Sequence, residues 1–361
     1  MHYQIERNYG CRVSDAWTYR GLKTAVLENE LLRVVILVDK GADIYQFVHK
    51  PTDVDFLWRS PWGVRDPALF KSSTGGPAEM WLDVYEGGWQ TVLPGGGYPS
   101  QYGDAQLGIH AEVNTVPWDC VIVEDTPERV SIRCSVRTAR TPFFFEKTHT
   151  LNSGSAVLHT DEVLVNEGEE IAHCVWGEHI AIGEPFLSED CVIDLPGGTL
   201  ISHETEFHPN NRLKPGVRAP WPQAEDKDGN RLDLSIVPPK TVRAYDMSYV
   251  ADMPEGWYSI TNQKKEVGFG LVYPKDIFKF LWYWQSLGGG FGYPWYGRGY
   301  NIGLEPFTSY DNQGLAQAIE NGTALTLEPG QRVEVSHKAV AYTGAERVER
   351  ISPDGSVSRK R

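Results

Sequence analysis

Four polar side chains interrupt otherwise apolar stretches, each close to a glycine or a proline, and their types suit proton transfer. They are His110 in LGIHAEV, His179 in WGEHIAIGEPFL, Asp246 in RAYDMSYV and Glu305 in GLEPFTS. An imidazole and a carboxyl can both be brought to proton affinities near neutrality by their surroundings, so such a pair can give and take protons in turn. The stretch RGYNIGLEPFTSY (Arg298–Tyr310) reads as a strand. Alternation puts Ile302 and Leu304 on one face and Asn301 and Glu305 on the other. Pro306 cannot donate to a sheet ladder and holds Glu305 extended, which sets this acid near a strand end. By the same alternation Glu178 points away from His179, while Glu112 shares the parity of His110 and is a candidate supporting residue. The other histidines show neither HxxxH nor HExxH spacing, and no metal site is expected.

The elements that must position these residues are strands. Residues 22–38 read as two short strands, the second being LRVVILV, and GADIYQFVHK (Gly41–Lys50) continues in the same character. From Trp118 the pattern is almost purely β: CVIVED and RVSIRCSVR flank a Thr126-Pro127-Glu128 turn, and further strands follow at short intervals up to Gly183. Without helices between them these strands must be antiparallel, as a meander or sandwich. GLAQAIENG (Gly314–Gly322) is the one convincing helix. Pro51–Pro77, with its WRSPWG segment, reads as a long ordered loop covering one end of a sheet, and 194–240 as an insertion. The glycines of EGGWQTVLPGGGYPS lack phosphate-loop spacing and read as turns. No internal repeat emerges. The expectation is one domain over residues 1–345 and a loose polar tail over 346–361.

With 361 residues and a net charge of −14, the chain repels phosphate backbones and anionic membranes, so neither nucleic acid nor a membrane is an expected partner. No apolar run approaches the roughly 20 residues of a bilayer span, and the N-terminal MHYQIERNYG lacks the apolar core of a secretory signal. Five scattered cysteines without CxxC spacing read as reduced, mostly buried thiols, in keeping with a cytoplasmic location.

The order of these motifs resembles the aldose 1-epimerase (galactose mutarotase-like) family over nearly the whole chain. The carriers are His110 in a G-x-H-x-E context, His179 before I-x-x-G-x-P-F-L, and Glu305 in L-E-P-x-T-S, with Asp246 in an aromatic strand as a looser match. The resemblance implies an all-β fold, a large antiparallel β-supersandwich with its site in a cleft on one concave sheet. It implies Glu305 as the base that takes the anomeric hydroxyl proton and His179 as the acid that protonates the ring oxygen. His110 and Asp246 would bind sugar hydroxyls. The family's glycine after the first histidine is Ala111 here, and Arg59 is a stand-in for its early arginine. Gln90, Trp89, Trp284 and Arg298 complete the expected substrate contacts, and Trp282, Trp295 and Tyr300 are further candidates for an aromatic platform under the apolar face of a sugar ring.

Interconverting α and β anomers requires the bond from C1 to the ring oxygen to open and reclose, with one group accepting a proton while another donates one. No electrons or groups leave the substrate, so no cofactor is expected. The expected ligand is a small carbohydrate, neutral, uronic, sulfonated or phosphorylated, and the expected assembly a monomer or homodimer. Two other functions use the same residues: a metal-dependent sugar isomerase or lyase with His110, His179 and Glu305 as ligands, and a carbohydrate-binding protein without catalysis.

Overall fold

Side-chain alternation sets the architecture. In Phe143–Asn152 the odd residues Phe143, Phe145, Lys147, His149 and Leu151 are buried, while most even ones are half-exposed, so this strand has one inner face. Gly177–Gly183 and Tyr300–Phe307 are instead buried at every position, which means both of their faces are covered. The computed structural model, which describes residues 7–70 and 75–360, assembles these strands into two large antiparallel sheets. The all-β, two-sheet arrangement agrees with the sandwich expected from the sequence.

The first sheet has 12 strands and the second eight. At the middle of the first, Trp89–Val92, Gly177–Gly183, Tyr300–Phe307, Phe280–Leu287 and Ala244–Ala251 lie side by side in that order. Ile180, Ile182, Ile302 and Leu304 face the second sheet and join the main apolar core with Phe145, Leu158 and Phe269. The opposite face of the same strands carries Ala181, Met247, Trp282 and Trp284, which form a second, aromatic cluster with Trp58, Trp81, Tyr85 and Trp295. Burial of these two faces, at about 25 cal/mol per Å² of apolar area, is the main force holding the central strands in place.

Part of the Pro51–Pro77 loop is a cover, as its tryptophans suggested. Trp58 lies 5.8 Å from Trp295 ring to ring, and Trp62 stacks on Trp295 at 5.6 Å. Residues 71–74 of this loop, like 1–6 of the N-terminal stretch, lie outside the described residues.

Two expectations are corrected. Residues 346–360 are not loose: Val348–Ile351 and Val357–Arg359 pair as a hairpin, and Val348 and Ile351 are buried against Trp257 and Tyr342. The apolar residues of that hairpin are few, but they suffice to dock it. Nor are all five cysteines free thiols. Cys120 and Cys134 are directly opposite in neighbouring strands and are joined by a disulfide, leaving Cys11, Cys174 and Cys191 free and buried. No helix among the described residues is long and apolar enough to cross a membrane.

Candidate active site

The register of the central strands builds the site. Gly177 pairs with Phe307 and Ala181 with Gly303, so His179 sits opposite Glu305 on adjacent strands. On its other edge His179 pairs with Gln90, and Glu305 pairs with Trp282. Side chains in such a row project from one face of the sheet. His179 Nε2 lies 3.5 Å from Glu305 Oε1, and the two residues are 3% and 2% exposed. Two proton carriers from positions far apart in sequence thus meet on the floor of one cleft.

Burial sets their electrostatics. Desolvation pushes the His179 pKa down to about 4 and lifts that of Glu305 well above the usual carboxylate value. Both shifts favour uncharged forms, as expected when water is excluded. Glu305 Oε1 is buried and has no hydrogen-bond partner among the described residues, a polar atom left for something else to satisfy. Its space comes from Gly303, two residues earlier on the same face, where a methyl group would collide with the carboxylate. Gly303→Ala is therefore expected to leave the sheet folded but swing the Glu305 carboxyl out of line. Anomer exchange by this variant should fall at least tenfold, a loss of the size that small misplacements of a catalytic group cause. Activity like wild type in a folded Gly303→Ala protein would show that the position of this carboxyl is not critical.

The walls hold the imidazole in place. Tyr85 places its hydroxyl 3.4 Å from His179 Nδ1, and Trp81 stacks on Tyr85 with 4.3 Å between ring centroids. Trp81 in turn donates its indole N–H to Gln90 Oε1 at 3.1 Å. His110 packs edge-on against His179 at 5.0 Å. It is in a turn, not in a strand as expected, with a left-handed φ of 50°. Its Nδ1 accepts the Gly97 N–H at 3.2 Å, so any ligand contact falls to Nε2. Burial, then the neighbouring His179, hold His110 well below the ordinary histidine pKa, which keeps it neutral. Tyr245, Trp284 and Trp295 close the other side, and the cleft encloses about 220 Å³. That is a little under the roughly 300–1,000 Å³ of typical drug-sized sites and fits one small ring.

Of the site residues expected from sequence, Glu305, His179, His110 and Trp284 come together in this cleft. Five do not line it. Asp246 is on the inner face of its strand, where both carboxylate oxygens take hydrogen bonds from Arg212, at 2.6 Å from its backbone N–H and 2.7 Å from Nε. Arg59 pairs with Asp55 and lies over the Tyr45 ring. Trp89 belongs to the core between the sheets and donates to Glu178, which indeed faces away from His179. Arg298 is exposed on the loop before the Glu305 strand. Gln90 is on the cleft face but roofed by Trp81, and its amide reaches Asp43 at 2.8 Å. Tyr300, a platform candidate, is also in the core, bonded to the Pro238 carbonyl at 2.9 Å. Glu112 bonds the backbone N–H groups of Ala139 and Arg140. Trp81, Tyr85 and Tyr245 were not anticipated. Tyr245 adjoins Asp246 and is carried to the opposite face by the same alternation that removes Asp246.

Among the described residues, no three His, Cys, Asp or Glu side chains are grouped so as to hold a metal ion, and His110, His179 and Glu305 form no such set.

The fold is shared with solved structures. A candidate aldose 1-epimerase from Klebsiella pneumoniae subsp. pneumoniae MGH 78578 superposes with a TM-score of 0.72 at 16% identity, over 95% of this chain and 86% of that one. A galactose mutarotase-like protein from Clostridium acetobutylicum gives 0.63 at 13% identity, over 92% and 99%. A galactose mutarotase related enzyme from Lactobacillus acidophilus gives 0.61 at 16%, over 89% and 98%. At these identities the likeness establishes a galactose mutarotase-like fold. No curated protein matches this sequence. The family model described as "Domain of unknown function (DUF4432)" matches residues 19–339, and the chain belongs to that family.

Proposed function

We propose that this protein is an isomerase of the aldose 1-epimerase type, which interconverts the α and β anomers of a sugar by opening and reclosing its ring. The observation that carries this reading is the His179–Glu305 pair, with 3.5 Å between Nε2 and Oε1 at the bottom of a cleft walled by aromatic rings. The anomeric hydroxyl and the ring oxygen are substituents of one carbon, so a base for the first and an acid for the second must stand close together. Glu305 takes the hydroxyl proton while His179 gives one to the ring oxygen. The C1–O5 bond breaks with its electrons going to O5, and the O–H electrons form the aldehyde C=O. Rotation about C1–C2 and the reverse transfers close the ring on the other face. These roles start with the pair's single proton on His179; burial favours it on Glu305 in the empty cleft, so a transfer across the 3.5 Å between them supplies the reactive form, and the reaction returns that proton at the end. Trp284, Tyr245 and Trp81 cover the C–H faces of the ring, and His110 Nε2 meets a hydroxyl.

One proton on a coupled pair dictates a pH profile. A second proton arrives on His179 only near its lowered value of about 4. The only proton is lost above the raised pKa of Glu305. kcat/KM for anomer exchange is therefore expected to fall in acid as pH drops toward about 4, to fall again as pH rises through the raised pKa of Glu305, and to be level between the two. Rates corrected for the spontaneous reaction would check this. A single ionisation near the ordinary histidine value would place some other group in control. The reading as a whole is tested by exchange NMR on a panel of aldoses, sugar acids and sugar phosphates. If no sugar in the panel equilibrates faster with the protein, with His179→Asn as the blank, the proposed reaction is wrong.

A further inference from the structure

The depth of the two proton carriers fixes which way a sugar must enter. His179 and Glu305 are at the floor, so on the reading above the C1–O5 edge of the ring goes down. The C3–C4 edge, across the ring, then faces the mouth.

The mouth is built of aromatic rings that water still reaches. Tyr98, Phe291 and Tyr293 line the same cleft yet are 44%, 50% and 47% exposed. They are held there. The Tyr98 backbone N–H bonds to the Asn312 carbonyl at 2.8 Å, and the Tyr293 hydroxyl donates to Asp83 at 2.9 Å. Phe291 and Tyr293 come from the loop GGGFGYPWYGRG, residues 288–299, whose positive-φ glycines 288, 292 and 297 let it fold back on itself. The next aromatic residue of that loop, Trp295, is 6% exposed and forms part of the inner wall. Inner wall and rim are thus one continuous aromatic surface. Grouped, exposed apolar side chains at the edge of a cleft are characteristic of a surface that a ligand covers. A single ring on the floor leaves them bare.

We infer that the substrate is a reducing oligosaccharide joined through the C3 or C4 oxygen of its terminal ring, with the reducing ring on the floor and the second ring on Phe291, Tyr293 and Tyr98. This inference rests on the proposed reaction for the orientation of the ring, and it names the substrate class of that same site. The rim offers flat faces to the C–H patches of a second sugar, and the Tyr98 and Tyr293 oxygens lie at its edges for the hydroxyls.

The test uses pairs of probes that share a reducing end: glucose with cellobiose, maltose and laminaribiose, xylose with xylobiose, and mannose with mannobiose. Exchange NMR gives kcat/KM for each, and titration of tryptophan fluorescence in the Glu305→Gln protein gives binding without turnover. In at least one pair the disaccharide is expected to show an advantage of about five- to tenfold, mainly through KM, the size of one aromatic contact. Phe291→Ala should bring that ratio close to one. Equal efficiency and equal binding for both members of every pair would overturn the inference while leaving the reaction standing, as would a ratio unmoved by Phe291→Ala. Tighter disaccharide binding with no exchange on any sugar would support the second-ring site and overturn the reaction instead.

Discussion

Glu305→Gln is expected to lower the catalysed rate of anomer exchange by about 10²–10⁴-fold, the range for losing one positioned proton carrier, and also to make the protein more stable as pH rises. Glutamine keeps the shape and burial of the side chain but can neither take nor give up the proton. The stability effect follows from the same burial. Desolvation alone raises the Glu305 pKa in the folded state, and Oε1 has no hydrogen-bond partner among the described residues. A group whose folded pKa lies above its unfolded value favours folding fully below the unfolded pKa, and that contribution is lost as pH rises toward the folded one. Glutamine does not titrate, so the difference in melting temperature between variant and wild type should widen from pH 5 to pH 8 in favour of the variant. Scanning calorimetry across that range, beside exchange NMR on the same preparations, reads both effects. A difference that does not change with pH would mean that Glu305 is not the desolvated acid described here. Loss of activity together with lower stability at every pH would point to a purely structural role.

The strand with period two carried most of what the sequence revealed. It separated Glu305 from Leu304 and His179 from Glu178, and the structure has each on the face that parity assigns. It failed where both faces of a strand are buried. Ala244–Ala251 is covered on both sides, so its apolar pattern has no phase, and nothing local says whether Asp246 or Tyr245 looks into the cleft. The deciding partner of Asp246 is Arg212, whose guanidinium arrives from the long excursion between 194 and 240. Trp81 and Tyr85 were illegible for a different reason. They come from a single helical turn, Glu79–Leu82, and the loop after it, too short to leave any periodicity. The disulfide did leave a trace: Cys120 and Cys134 lie equally far from Pro127 in the turn between their strands. Two residues equidistant from a hairpin turn are cross-strand neighbours, and this outweighs the scatter of the cysteines as a whole. Nothing local signals what engages an arginine: Arg59 is paired with Asp55, and Arg298 is exposed outside the cleft.

Behind His179, on the opposite face of its strand, charged groups are buried between the sheets, and Lys147→Met is expected to destabilise the fold by about 3–5 kcal/mol, the usual result of removing one partner from a buried ionic group. Lys147 is 2% exposed, with its Nζ 3.5 Å from Glu178 and 3.6 Å from Glu162. Glu178 also accepts from Thr91 at 3.0 Å and from Trp89, and Glu162 lies 3.0 Å from His337. Burial first, then repulsion from Glu162, push the Glu178 pKa up to about 7 against the pull of Lys147. Methionine fills much of the lysine volume, so the loss is one of charge and not of packing. Without the cation the Glu178 pKa rises further above its unfolded value. The deficit should therefore be smaller in mild acid, where Glu178 is protonated and only Glu162 is left ionised without the cation, and grow as pH rises through neutrality. Adding Glu178→Gln should recover a substantial part of the loss, because one of the two charges left behind is then gone. Urea unfolding of the single and double variants at pH 5.5 and pH 8 separates this from a simple cavity effect, which would be alike at both pH values and indifferent to Glu178. The same strand presents Glu178 to these charges and His179 to the cleft, so strain at the first should misplace the second. In Lys147→Met, exchange activity at pH 8 should then fall at temperatures where the protein is still folded, and recover with Glu178→Gln.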